Sequence, residues 1–330
     1  VAKIRLRVVC PAGVVSGGPE SLHNLVKVGK ELGLDSAIVY FPFDARGEIP
    51  APYRNKYEID LSTLEDREGD FLIYPEILAV EALKIKRATA AIWWLSVDNF
   101  VARKYGGIRD KVRYFLRVMQ RRRPAGGVAS LSRLIHISKA AYDREFLRKH
   151  GISALQLEGP ISDTYLSEPC DTAEATRENI ILFNPRKDRR TIAFLKSNFS
   201  EFSFVPLRDL GEVDMQKLYR SAKLYVDFGH HPGKERMPRE AAVSGCCVIT
   251  GRRGSAGNAE DVPILEKYKI DQYSPNFVGI FKDRVMEIFG NFDRCQADFD
   301  SYRKIIRNEP IIQRNQLESI IDKINISKSA

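Results

Sequence analysis

What most limits the fold of this chain is a rhythm in its hydrophobicity. Short aliphatic runs, each the length of one strand, alternate with amphipathic stretches the length of a helix, and the pattern runs through twice. In the first pass the spacing predicts strands over 3–10, 36–41, 70–74, 90–95 and 134–138, and helices over 21–32, 77–88 and 140–149. Leu22, Leu25, Val28 and Leu32 form one apolar face on the first of these helices. The polar stretch TYLSEPCDTAEATRE at 164–178 has no such period and reads as a linker. Beyond it, strands are predicted over 180–183, 202–206, 224–228 and 246–250, with helices over 191–197, 215–222 and 236–244. The tail over 281–324 reads as helical, with a break near Pro310.

Alternation of this kind builds parallel sheets with helices on both faces, whose ligands bind outside the carboxyl ends of the strands. The 330 residues exceed what one core organises, so two doubly wound α/β domains are expected, over 1–163 and 179–300. Helices over 301–330 are expected to pack back on the first domain. A cleft between the carboxyl ends of the two sheets is where function is to be sought.

Composition removes several classes of protein. No apolar run reaches the roughly 18 residues needed to span a bilayer, and VAKIRLRVVC at the start reads as a strand rather than a secretory signal. Five cysteines without CxxC spacing are expected to be reduced thiols of a cytoplasmic protein. Five histidines without HExxH or a carboxylate cluster at ligand spacing give no metal site. The chain opens on Val1 rather than Met, as expected of a processed chain or of one excised from a longer protein. Its 52 Lys and Arg against 43 Asp and Glu leave +9, and 101–150 alone carries fourteen basic and three acidic residues, or +11. One stretch therefore holds more than the whole excess.

Two glycine-rich places follow predicted strands. Gly17 and Gly18 lead into the first helix, where backbone N–H groups are open to an anion, although GxGxxG is absent. The second place is DFGHHPGKERMPREAAVSGCCVITGRRGS, where a strand, a Gly and Pro loop, a helix carrying Glu240, a buried strand and a second Gly loop succeed one another. Successive parallel strands share a direction, so both loops leave the same edge of the sheet. His231, Gly233 and Lys234 in the first loop and Gly251, Gly254 and Ser255 in the second are the expected nucleotide contacts. Lys234, Arg236 and the following helix N-terminus suit a diphosphate, Glu240 suits ribose hydroxyls, and Arg252 and Arg253 are placed for phosphate or an acidic sugar.

That stretch resembles the donor-nucleotide motif of family 4 glycosyltransferases and their relatives, which have the GT-B fold of two Rossmann-like domains facing a cleft. Glu240 with AAVSGCCVIT matches the second Glu of the motif and the small-residue turn and strand after it, while the first acidic position falls on Pro232, with Glu235 three residues further on. GGPESLHNLVKVGKELG, SKAAYDREFLRKHGI, LEGPISDTYL and NIILFNPRKDRRTIAFLK are similar to further landmarks of that family, in order, over 4–265. The resemblance implies that Glu240 contacts the nucleotide ribose and that Lys187 and Arg186 grip the donor diphosphate. It implies transfer of a sugar from a nucleotide-sugar to a glycan or lipid-linked acceptor in bacterial surface polysaccharide synthesis. No metal and no cofactor beyond the nucleotide-sugar are implied. Two other readings remain open: a non-catalytic nucleotide-binding module of a larger assembly protein, and a nucleotide-sugar epimerase.

Inverting transfer also needs a base on the acceptor side, and Asp98 and His23 are the candidates, each near the carboxyl edge of the first sheet. Trp93 and Trp94 could stack on an acceptor sugar or fill the core. KVRYFLRVMQRRRP reads as an amphipathic helix with Arg113, Arg117 and Arg121 at spacings of four. Such a face suits an anionic membrane surface or the pyrophosphate of a lipid-linked acceptor; no nucleic-acid module surrounds it.

Overall fold

The computed structural model describes residues 4–43, 48–54, 56–105, 127–167 and 177–329. The chain divides into two compact units, Val1–Gly159 with Pro310–Ala330, and Pro160–Glu309. Residues 168–176 of the expected linker and the basic helix with Arg113, Arg117 and Arg121 lie outside the described residues. Thr164–Leu166 belong instead to a helical turn, with Tyr165 buried in the second unit's core.

The first unit holds a parallel sheet of β1 (Arg5–Pro11), β2 (Asp35–Phe41), β3 (Asp70–Pro75), β4 (Thr89–Trp94), β5 (Ile135–Ser138) and the short β6 (Leu155–Gln156), in the order β2-β1-β3-β4-β5-β6. Its strands are buried on both faces, and the period of two sorts their side chains cleanly. Leu6, Val8, Phe71, Ile73, Ala91 and Trp93 enter one core cluster. Val9, Leu72, Tyr74, Ile92 and Trp94 enter the other. Each fully buried aliphatic among them contributes about 1.5–3 kcal/mol relative to exposure. Charge sets the register where the strands begin: Arg5 forks onto Asp70 at the start of β3 (2.7 and 2.8 Å), and Arg7 onto Asp35 at the start of β2 (3.0 Å).

The predicted helix over 77–88 is far shorter, a 3-10 turn at Glu76–Leu78 followed by Ala79–Ala82. The Asp66 carboxylate accepts the N–H groups of Lys86, Arg87 and Ala88, each at 2.8 Å, and turns the chain into β4. Leu317, Ile320, Ile321 and Ile324 of the C-terminal helix pack in the same cluster as Leu22 and Leu25 of helix Gly17–Glu31.

The second unit is a four-stranded parallel sheet of β7 (Glu178–Phe183), β8 (Ser203–Pro206), β9 (Ala222–Asp227) and β10 (Cys247–Thr250), in the order β10-β9-β7-β8. Cys246 and Cys247 sit in its core beside Val248 and Ile249. The tail corrects one expectation: helix Asp300–Ser329 runs through Pro310 without a break. Proline removes one backbone donor there and crowds the carbonyl four residues earlier, but both flanks are anchored. Tyr302 and Ile306 are held in the second unit's core, Leu317 and Ile320 in the first's. The division between units falls at this proline.

Candidate functional site

In the second unit, β7 and β9 are neighbours although not consecutive, so the connections leave them in opposite directions and a crevice opens at their carboxyl ends. The loop after β7 is shaped by two side chains. Asn184 accepts the Arg186 N–H (2.9 Å), and Asp188, in the left-handed region at φ 36°, caps helix Arg189–Asn198 through the Thr191 N–H and hydroxyl. That turn projects Lys187 toward the end of β9.

There Lys187 Nζ lies 2.8 Å from Glu235 Oε2 and 3.5 Å from Asp227 Oδ2. Burial pulls the ammonium down, but Asp227 and Glu235 outweigh it and raise its pKa. Asp227 is itself buried: it accepts the Gly229 N–H (2.9 Å) and lies 3.3 Å from Nε2 of the fully buried His231. Burial alone would raise this carboxyl; His231, Lys187 and the Gly229 amide hold it well below the usual carboxylate range. Gly229 is required for this packing, because a Cβ there would stand 2.9 Å from Lys187 Cβ.

Lys187 also lines a cleft of about 670 Å³ together with Arg186, Arg189, Lys196, Arg208 and Asp209. Five cations face one carboxylate, which is the chemistry of an anion site. Arg186 stands at its rim, 79% exposed and 3.3 Å from the exposed Asp209.

The other expected nucleotide contacts are placed differently. The two Gly loops are sutured to each other: the His231 N–H donates to the Arg253 carbonyl (3.2 Å), the Ser255 N–H to the His231 carbonyl (2.9 Å), and Ser255 Oγ to the Gly233 carbonyl (2.6 Å). Gly254, at φ 66°, is needed for this contact, since a Cβ would lie 2.1 Å from the His231 carbonyl oxygen. Gly251 approaches Gln272 and Phe228 in the same way. These residues hold the first loop in place rather than offering themselves to a ligand. Lys234 likewise turns inward, its ammonium 2.9 Å from the buried Glu309, whose other oxygen takes Arg239 at 2.5 Å. Glu240 is fully buried and receives Arg236 Nε at 2.9 Å, so its carboxylate faces Arg236 rather than open solvent. Arg252 pairs with Glu266 (2.7 Å) and Arg253 reaches the Tyr273 hydroxyl (3.3 Å). Sequence reasoning passed over Asp227, Arg189, Lys196 and Arg208. The visible signal for Asp227 was an acid closing an aliphatic strand just before Phe228 and Gly229.

In the first unit the two base candidates separate. His23 is fully buried, with Nδ1 2.7 Å from the Pro19 carbonyl and Nε2 2.8 Å from the Tyr40 hydroxyl; burial lowers its pKa. With both nitrogens engaged it is a packing histidine, which corrects its expected role as base. Trp93 and Trp94 are core residues too, donating to the Leu157 carbonyl and His136 Nδ1. Asp98 opens helix Val97–Tyr105 and accepts from the Tyr142 hydroxyl at 3.3 Å. The turn before it is clamped by two buried carboxylates: Glu76 accepts the Leu95 N–H (3.1 Å) and Asp143 the Val97 N–H (3.2 Å).

Burial raises the Glu76 carboxyl to about 7, against the pull of the Leu95 amide and Lys139. The folded state therefore keeps this proton while the unfolded chain releases it, so stability falls as pH rises from 4.5 to about 7. Glu76→Gln, which retains the acceptor, is expected to flatten that fall. Thermal melts of parent and variant between pH 4 and 8 should diverge over this window, in the variant's favour.

Among the described residues there is no group of three or more His, Cys, Asp or Glu placed to hold a metal ion, and no helix is long and apolar enough to cross a membrane.

The sequence matches no family model and no curated protein. Solved structures do match. HepE of Anabaena, in complex with UDP, is 11% identical over 96% of this chain and 100% of its own, at a TM-score of 0.64. A sucrose-phosphate synthase from Thermosynechococcus elongatus is 10% identical over 98% of this chain and 100% of its own, at 0.61. A glycosyltransferase from Rickettsia africae is 13% identical over 100% of this chain and 99% of its own, also at 0.61. At such identities the likeness is one of fold, and the fold is GT-B: two parallel α/β units with helices at the C-terminus.

Proposed function

We propose that this chain is a glycosyltransferase that takes a nucleotide-sugar as donor, with the donor diphosphate bound at the carboxyl edge of the second unit's sheet. The observation that carries the reading is Lys187, which stands at the switch point between β7 and β9 and lines a cleft with four further cations. Similar folds in HepE and TarM were solved with UDP bound. When a glycosyl group departs, negative charge grows on the diphosphate. Lys187, Arg189 and Arg186, with the N-terminus of helix Arg236–Val243, can stabilise it without a metal. Asp98 is the acceptor-side base in this reading. Glu240 is the ribose ligand, reached once Arg236 swings away.

The acceptor is read as a glycan or lipid-linked sugar of a bacterial surface polysaccharide, approached from the cytoplasmic face of a membrane. Support for that part is the +11 over 101–150, which suits an anionic surface.

Melting the protein with UDP, GDP, dTDP, ADP and CMP in turn tests the donor site, because a ligand that binds only the folded state raises its apparent stability. One nucleotide is expected to raise the midpoint, and its sugar conjugates to be consumed in the presence of a glycan acceptor. No shift with any of the five would overturn the reading.

A further inference from the structure

Lys187 has two carboxylate neighbours, and they are not equivalent. Asp227 is the permanent one: its side chain is 1% exposed, and the Gly229 amide and the Tyr225 hydroxyl (3.4 Å) fix it at the end of β9. Glu235 lies closer to the ammonium and is the more exposed of the two. Its side chain is 23% exposed, and it occupies the N-cap of helix Arg236–Val243 without making a side-chain cap bond. Its main chain is anchored separately, since Arg239 Nε donates to the Glu235 carbonyl at 3.0 Å. Rotation about the side-chain bonds can therefore carry the carboxylate away while the loop stays in place.

The carboxylate also sits where an anion would go. It holds the ammonium of a lysine that lines the cationic cleft, on a residue that is itself the N-cap of a helix, and both a lysine and a helix N-terminus attract negative charge. With both carboxylates in place the cluster of Lys187, Asp227 and Glu235 carries a net −1; with Glu235 turned out it is neutral. A phosphate oxygen and Glu235 cannot both take the same ammonium.

We propose that Glu235 is an internal counter-ion that occupies the phosphate position on Lys187 in the empty protein and is displaced when a nucleoside diphosphate binds. This rests on the donor-site reading above. Glu235 then opposes binding, and donor capture is coupled to release of its carboxylate toward the ligand.

The test is calorimetric titration of the full chain and of Glu235→Gln with UDP, GDP, dTDP, ADP and inorganic pyrophosphate. The variant is expected to bind the preferred diphosphate about fivefold more tightly, the size of one partly exposed ion pair. Binding of the corresponding nucleoside, which has no phosphate, should not change. In a Lys187→Met background the gain from Glu235→Gln should vanish. Glu235→Asp, which keeps the charge but shortens its reach, should show a smaller gain and serves if the Gln variant does not fold. A merely structural glutamate would give weaker binding on substitution, so unchanged or reduced affinity alongside a parent that binds overturns this inference and leaves the donor site standing. Failure of every diphosphate to bind the parent overturns both.

Discussion

Replacing Lys187 by methionine is expected to lower nucleoside diphosphate affinity by about 100-fold, close to the upper end of what one charge-assisted contact supplies. Methionine keeps the stem that packs over Gly229 and deletes only the ammonium, so the cleft retains its shape. What is lost is the least exposed cation of the cleft, set at the switch point, with a side chain only 23% exposed. Poor access to water makes its contact with phosphate strong. Arg186 is the control: it belongs to the same loop, but it is 79% exposed and already faces Asp209, so Arg186→Ala should change affinity far less. Titration calorimetry on both variants checks this ordering, and equal losses would move the diphosphate toward the rim.

The same substitution has a consequence for acid stability. Asp227 is held below the usual carboxylate range, so it contributes stability that is full above a pH of about 4 and is lost as the pH falls toward its folded value. Without Lys187 that depression shrinks, although His231 and the Gly229 amide remain. Lys187→Met should therefore be less stable than the parent at pH 7, and the difference should close as the pH falls below about 4, which gives the variant a shallower acid limb.

The difference between Lys187 and Lys234 shows what can be read from the sequence and what cannot. Both are basic residues in Gly or Pro loops just after predicted strands, and local pattern treats them alike. The strands themselves were legible, because aliphatic runs such as NIILF and CCVIT have one buried solution in a parallel sheet, and the edge from which their loops leave follows from direction alone. Which cations remain available to a ligand is decided by partners far away in the chain. Lys234 is consumed by Glu309, while Lys187 faces the partly exposed Glu235 and a cleft. Gly254 and Ser255 looked like ligand contacts for the same reason: a glycine allows close approach, but the sequence does not say whether a ligand or another loop approaches. His23 beside Tyr40 and the helix that survives Pro310 are likewise settled by packing, which overrides local preference.

Glu309→Ala is expected to be among the most damaging single changes, costing about 3–5 kcal/mol and lowering the melting midpoint by on the order of 10 °C. Glu309 is 1% exposed and meets two cations that are nearly as buried, Lys234 at 2.9 Å and Arg239 at 2.5 Å. Removing the carboxylate leaves two like charges facing each other in a region that water scarcely reaches, and desolvation is then no longer offset by attraction. The damage reaches the donor loop, because Arg239 also donates to the carbonyls of Lys234 and Glu235 (3.2 and 3.0 Å) and would lose the anion that orients it. Lys234→Met should be milder, since it leaves Arg239 and Glu309 as a balanced pair. Thermal denaturation of the two variants separates charge from packing. If charge balance governs, Glu309→Ala melts well below Lys234→Met. If the two melt together, the loss is one of filled volume, and the triad is a packing unit whose charges happen to meet.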